Sequence, residues 1–170
     1  MHEGQKVYRW QLGVALLFVL LALVIFGIWL LHRDADPIPR KVRKQISFSI
    51  LEPQPKTAWY LDPKSISYST RTNVLTMTAK SSESSLSINE QAQPDVFNDV
   101  PQYYSSLLNK LNQYDDLHTD IGTVTLTHPK ELNGGQTAVL NLKQTLIFVK
   151  PSKNLSESQW KDFFNSMQWD

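Results

Sequence analysis

Between positions 12 and 31 the chain reads LGVALLFVLLALVIFGIWLL, twenty consecutive residues without a charged or strongly polar side chain. A helix rises about 1.5 Å per residue, so this run covers about 30 Å, the thickness of a bilayer's hydrocarbon layer. A helix buried in a soluble core rarely stays apolar on every face for such a length. Trp10 and Trp29 stand near the two ends of the run, where amphipathic rings favour the headgroup zone. The run therefore predicts one transmembrane helix over residues 12–31, preceded by a short tail over residues 1–11.

Secretory signals have shorter apolar regions and end in small residues of the A-x-A kind. Here the run ends in IWLLHRDAD with no such site, so a retained, single-pass signal-anchor is expected. The run also lacks the early Glu of a type IV pilin. Charge alone leaves the orientation open. The amino-terminal flank offers Lys6 and Arg9, whereas the other flank offers Arg33, Arg40, Lys41, Arg43 and Lys44, which by counting favours a cytoplasmic carboxyl side. The denser cluster, however, begins only beyond Pro37 and Pro39.

The formal net charge of +1 hides an asymmetry, with a basic first 45 residues and a mildly acidic remainder. An acidic body is a poor partner for nucleic acid, whose phosphates need a concentrated basic face. The chain has no cysteine, which excludes disulfides, thiolate catalysis, cysteine-ligated zinc and a lipidated cysteine anchor. The 125 residues from 46 to 170 suffice to bury a core of their own.

Residues 32–45, HRDADPIPRKVRKQ, read as a basic linker, because Pro37 and Pro39 favour extended backbone over helix. Strand periodicity follows in ISFSIL (46–51), with shorter candidates in TAWYL (57–61) and SISYS (65–69). NVLTMTA (73–79) and SLSINE (85–90) are stronger strands. Over residues 100–113 the period changes: Val100, Tyr103, Tyr104, Leu107, Leu108 and Leu111 form one helical stripe, with Asn98 or Asp99 as cap. IGTVTLT (121–127) and QTAVLNLK (136–143) are expected to form a hairpin around Asn133-Gly134, and TLIFVK (145–150) a central strand. Ser156 with Gln159 makes a capping box, and Leu155 with Trp160 a hydrophobic staple, for a helix that buries Trp160, Phe163, Phe164 and Met167. This order predicts an α+β domain with a mainly antiparallel sheet and two packed helices over residues 46–170.

The opening strand ISFSILEP, the strand end SINEQ (87–91), the glycine strand IGTVTL (121–126) and the closing LIFVKPSKNLSESQWKDFFNSM (146–167) carry a resemblance. They resemble bacterial single-span envelope proteins of unknown function whose soluble module is a PsbP/Mog-like sandwich of sheet and two helices. The resemblance implies an extracytoplasmic module in the cell membrane and supplies no catalytic residues.

Candidates for chemistry are few. DDLHTD (115–120) gathers carboxylates and a histidine, so Asp116, His118 and Asp120 are weak metal ligands; the bland reading is a solvated loop after the helix. Glu90 and Asp95 could pair as carboxylates, but nothing in the sequence sets their separation. No nucleophile elbow, H-E-x-x-H, phosphate-binding loop or dinucleotide fingerprint is present. Neither a catalytic residue nor a cofactor is expected. Most aromatics belong to the core between sheet and helices, while Trp59, Tyr60 and Trp169 are candidates for the rim of a groove. Asn154-Leu155-Ser156 matches a glycosylation acceptor, although Ser156 is better explained as a cap.

Three functional classes follow. The leading one is a membrane-anchored binding or interaction module whose partners are the bilayer and another envelope protein. In it Arg40, Lys41, Arg43 and Lys44 touch anionic headgroups, at about 1 kcal/mol per charge. The second is a structural subunit of a membrane-associated assembly, although the small residues Gly13, Ala15, Ala22 and Gly27 are not at small-xxx-small spacing. The third is a hydrolytic or metal-dependent enzyme, signalled by a polar pocket around His118.

Overall fold

A computed structural model describes Leu21, Val24 and residues 37–128 and 135–170. The expected membrane helix therefore lies outside the described residues except for Leu21 and Val24, both helical and exposed. Among the described residues no helix is long and apolar enough to cross a membrane. Contacts divide the chain into Met1–Ala35 and Asp36–Asp170, and only the second unit is described further.

That unit is α+β. In chain order it runs α1 (Arg40–Arg43), β1 (Leu51–Pro53), β2 (Tyr60–Leu61), a single 3₁₀ turn (Pro63–Ser65), β3 (Ser67–Ser69), β4 (Val74–Lys80) and β5 (Ser85–Ala92). There follow α2 (Val96–Asp99), α3 (Gln102–Lys110), β6 (Gln113–Thr119), β7 (Gly122–Thr127), β8 (Thr137–Leu142), β9 (Thr145–Pro151), α4 (Glu157–Asn165) and β10 (Met167–Trp169). An eight-stranded sheet has the order β2-β4-β5-β9-β8-β7-β6, with β3 also on β4. Its described pairings are all antiparallel. β1 and β10 form a separate antiparallel ribbon.

The alternation of β4 and β5 sends Leu75, Met77, Ala79, Leu86 and Ile88 to one face, where they join Ala138, Leu140, Ile147 and Val149 from β8 and β9. Onto this face pack Trp160, Phe163 and Phe164 of α4, all 0% exposed, which makes it the main core. Val139, Leu146 and Phe148 point the other way and are covered by Phe97, Tyr104, Leu107, Leu108 and Leu111 from the α2–α3 segment. Both faces of the sheet thus carry helix.

Several expectations change. The helix expected over 100–113 forms over the shorter span Gln102–Lys110 as α3, with Pro101 at its N-cap, and the separate turn α2 precedes it. Val100, ahead of this helix, and Tyr103, within it, are exposed instead of lying on a buried stripe. DDLHTD is not a loop but most of edge strand β6, paired from Asp115↔Leu126 to Thr119↔Gly122. The return is tight at Gly122, whose φ of 134° suits a residue without a Cβ, and an added Cβ would lie 3.0 Å from Leu142. ISFSIL is a strand only from Leu51 onward, although Ile46, Phe48 and Ile50 still face the core as their alternation requires. β9 is central as expected, between β5 and β8. β7 and β8 pair from Thr125↔Val139 to Thr127↔Thr137, while the Asn133-Gly134 turn lies outside the described residues. The capping box of α4 forms in both halves, and Leu155 is buried beside it.

The expected linker over 32–45 also differs. The compact unit begins at Asp36, and Ile38 is 0% exposed within its core. Pro39 occupies the N-cap of α1, where a proline costs no internal hydrogen bond, so it starts a helical turn instead of preventing one.

Candidate functional site

The exceptional side chain of this unit is Glu90. Its place on β5 follows from strand alternation: it takes the position after Leu86 and Ile88 on the core face, opposite Leu75 on β4 and Ile147 on β9. It is 0% exposed. Oε2 accepts the Leu51 N–H at 3.1 Å, and Oε1 has no hydrogen-bond partner among the described residues. Burial pushes the carboxyl well above its usual range, the Leu51 N–H pulls it partway back, and the charges of Asp170 and Glu52 push it up again. Burial thus biases Glu90 toward its protonated form, beneath a roof formed by the start of β1.

The roof is itself a polar clamp. Arg43 of α1 donates to Glu52 of β1 at 3.1 Å and to the Asp170 carboxylate. Asp170 Oδ1 accepts the Ile50 N–H at 2.7 Å, and the Asp170 N–H donates back to the Ile50 carbonyl at 3.0 Å. Thr145 Oγ1 donates to the Ser49 carbonyl at 2.9 Å. Trp169 lies in the same ribbon, opposite Leu51, with the Lys143 Nζ 5.3 Å from its ring centroid.

These positions sort the candidates. Arg43 faces inward and is half-buried in the clamp, so it is not a surface contact, whereas Arg40, Lys41 and Lys44 are exposed. Trp59 is 9% exposed and packs edge-on against Phe163 at 5.1 Å, which makes it core and not groove rim. Trp169 is partly buried against that core, and Tyr60 is exposed. The structure does not bring these three together around a groove.

Asp116, His118 and Asp120 are spread along the outward side of β6 and its turn. Asp116 accepts from Thr125 Oγ1 at 2.6 Å and Gln113 Nε2 at 2.9 Å, and His118 Nδ1 lies 3.3 Å from Thr123 Oγ1. Asp120 contributes its backbone N–H to Asn165 Oδ1 at 3.0 Å. No three His, Asp or Glu side chains converge on a metal position among the described residues. Burial, reinforced by the Asp116 charge, instead pushes the neighbouring Tyr104 phenol up to about 12.

Glu90 and Asp95 do not form a pair: Glu90 is buried, while Asp95 is exposed and lines a cleft of about 320 Å³ with Thr72, Asn73, Gln91, Gln93 and Pro94. The polar clamp escaped sequence reasoning because its members lie at opposite ends of the unit. The one available signal was a glutamate at an inward position of an alternating strand. Compared with protein-family models, curated proteins and solved structures, the chain matches none.

Proposed function

We propose that the chain is a single-span membrane protein whose α+β unit is an extracytoplasmic binding or interaction module of the bacterial envelope. The observation that carries this reading is the uncharged twenty-residue run over 12–31, long enough for one crossing. Two features support a surface-held module. Only five residues, 32–36, lie between that run and Pro37, a tether of at most about 18 Å. Arg40, Lys41 and Lys44 then present three exposed cations near the start of the folded unit, suited to anionic headgroups. A sheet with helices on both faces is compatible with a PsbP/Mog-like sandwich, and the extracytoplasmic side rests on the resemblance to envelope proteins with that module.

Fractionation and protease shaving test the two halves of the proposal. The full chain should stay in the membrane pellet after an alkaline wash, and a chain lacking residues 1–31 should not. A carboxyl-terminal tag should be lost when intact cells are treated with protease. A full-length chain recovered in the soluble fraction overturns the anchor, and a tag protected until lysis overturns the orientation.

A further inference from the structure

We propose that residues 37–53 are a strap that closes over the main core while Glu90 holds its proton and opens when Glu90 ionises. The strap is built apart from the large sheet. Its only strand, β1, pairs with β10 in the two-stranded ribbon and adds nothing to the eight-stranded ladder. Ile38, Ile50 and Leu51 seal the core beneath it, each at most 1% exposed. Besides the β1–β10 ladder, its polar fastenings include the Leu51 N–H on Glu90, the Ile50 backbone on Asp170, Arg43 on Glu52 and Asp170, and the Ser49 carbonyl on Thr145, which lie close together around Glu90.

The groups facing Glu90 explain why its proton matters. β4 and β9 present Leu75 and Ile147, which cannot stabilise a charge. The strap presents Glu52, and the chain end presents Asp170, both acidic, with Arg43 already hydrogen-bonded to both. An ionised Glu90 would add a further negative charge to this roof with no cation of its own among the described residues, in a fully buried site. Lifting residues 37–53 is the movement that would hydrate it while leaving the ladder from β4 to β9 intact. If the membrane anchor proposed above holds, opening lengthens the tether from five residues (32–36) to 22 (32–53), from about 18 Å to at most about 79 Å, and frees the module to reach away from the bilayer.

Hydrogen exchange of the full chain in detergent micelles, read by mass spectrometry and corrected for the intrinsic pH dependence of amide exchange, tests the strap whether or not the anchor holds. Peptides covering 37–53 should lose protection with rising pH by up to tenfold per pH unit, the limit for one coupled proton. Peptides from β5 and β9 should keep theirs. Glu90→Gln should make strap protection independent of pH, and Glu90→Met carries the same expectation if the Gln variant does not fold. Strap protection that is flat with pH in the native chain overturns the proposal. So does a pH-dependent loss shared equally by the strap and β5–β9, or one that persists in both variants.

Discussion

Replacing Glu90 by Gln should reverse the order of stability between native and variant chains as pH rises. In the native fold the carboxyl is 0% exposed and its Oε1 has no hydrogen-bond partner among the described residues, so the folded state favours the neutral acid. Burial, then the charges of Asp170 and Glu52, hold it well above its ordinary 4.5 against the opposing Leu51 hydrogen bond. Below that ordinary value both folded and unfolded chains carry the proton and nothing is lost. Above it the unfolded chain releases the proton first, so native stability falls, by up to about 1.4 kcal/mol per pH unit, until the raised value is passed. The variant is neutral throughout. Its amide oxygen still accepts the Leu51 N–H, but its NH₂ takes the unpartnered position of Oε1, at a cost of up to about 1–3 kcal/mol. The native chain should therefore be the more stable near pH 5 and the variant should overtake it at higher pH. Urea unfolding of the full chain in detergent, followed by tryptophan fluorescence at several pH values, measures both curves. Parallel curves would refute the assignment of Glu90 as a buried neutral acid.

The remaining predictions concern the surface, the clamp and the core. Changing Arg40, Lys41 and Lys44 together to Ser should weaken binding of the 36–170 fragment to anionic vesicles by up to about 3 kcal/mol, roughly 150-fold, measured by co-sedimentation at low salt. Arg43→Ser should instead lower unfolding stability by about 1–3 kcal/mol with little further effect on vesicle binding, since it removes charge-assisted hydrogen bonds to Glu52 and Asp170. Ser156→Ala removes one half of the α4 capping box and should cost about 1 kcal/mol in the same unfolding assay. Phe163→Ala opens a cavity between Trp59 and Phe164, and about 3–5 kcal/mol of lost stability is expected.

Local patterns were legible wherever a single physical rule governed them. The alternation of β4 and β5, the apolar run of β9 and the capping box of α4 each depend on neighbours a few residues away, and each formed as its pattern demanded. The errors arose where tertiary partners decided. A 3.6-residue stripe over 100–113 was real, but the helix starts only after Pro101, and Tyr104, Leu107, Leu108 and Leu111 cover the second face of the sheet together with Phe97 from the preceding turn. The polar string DDLHTD looked like a loop because its outward residues are hydrophilic; the one inward residue, Leu117, is what reveals the strand. Trp59 and Trp169 could not be told apart from sequence, since what separates core from ribbon is the position of Phe163 and Leu51, more than a hundred residues from each.

The division of labour within the basic cluster has the same origin. A helix turns about 100° per residue, so in α1 the directions of Arg40, Lys41 and Lys44 fall within one sector of about 100°. Val42 points opposite to that sector and packs on the core, and Arg43 lies to one side of it, toward Glu52 and Asp170. Once Val42 packs on the core, the helix has no freedom to expose all four cations. One of them must enter the clamp, where it balances the two carboxylates beside Glu90. The same four-residue turn therefore sets both the charge offered outward and the charge balance over the buried acid. A change that unwinds α1 should alter surface binding and strap closure together, whereas Arg40→Ser alone should alter only the first.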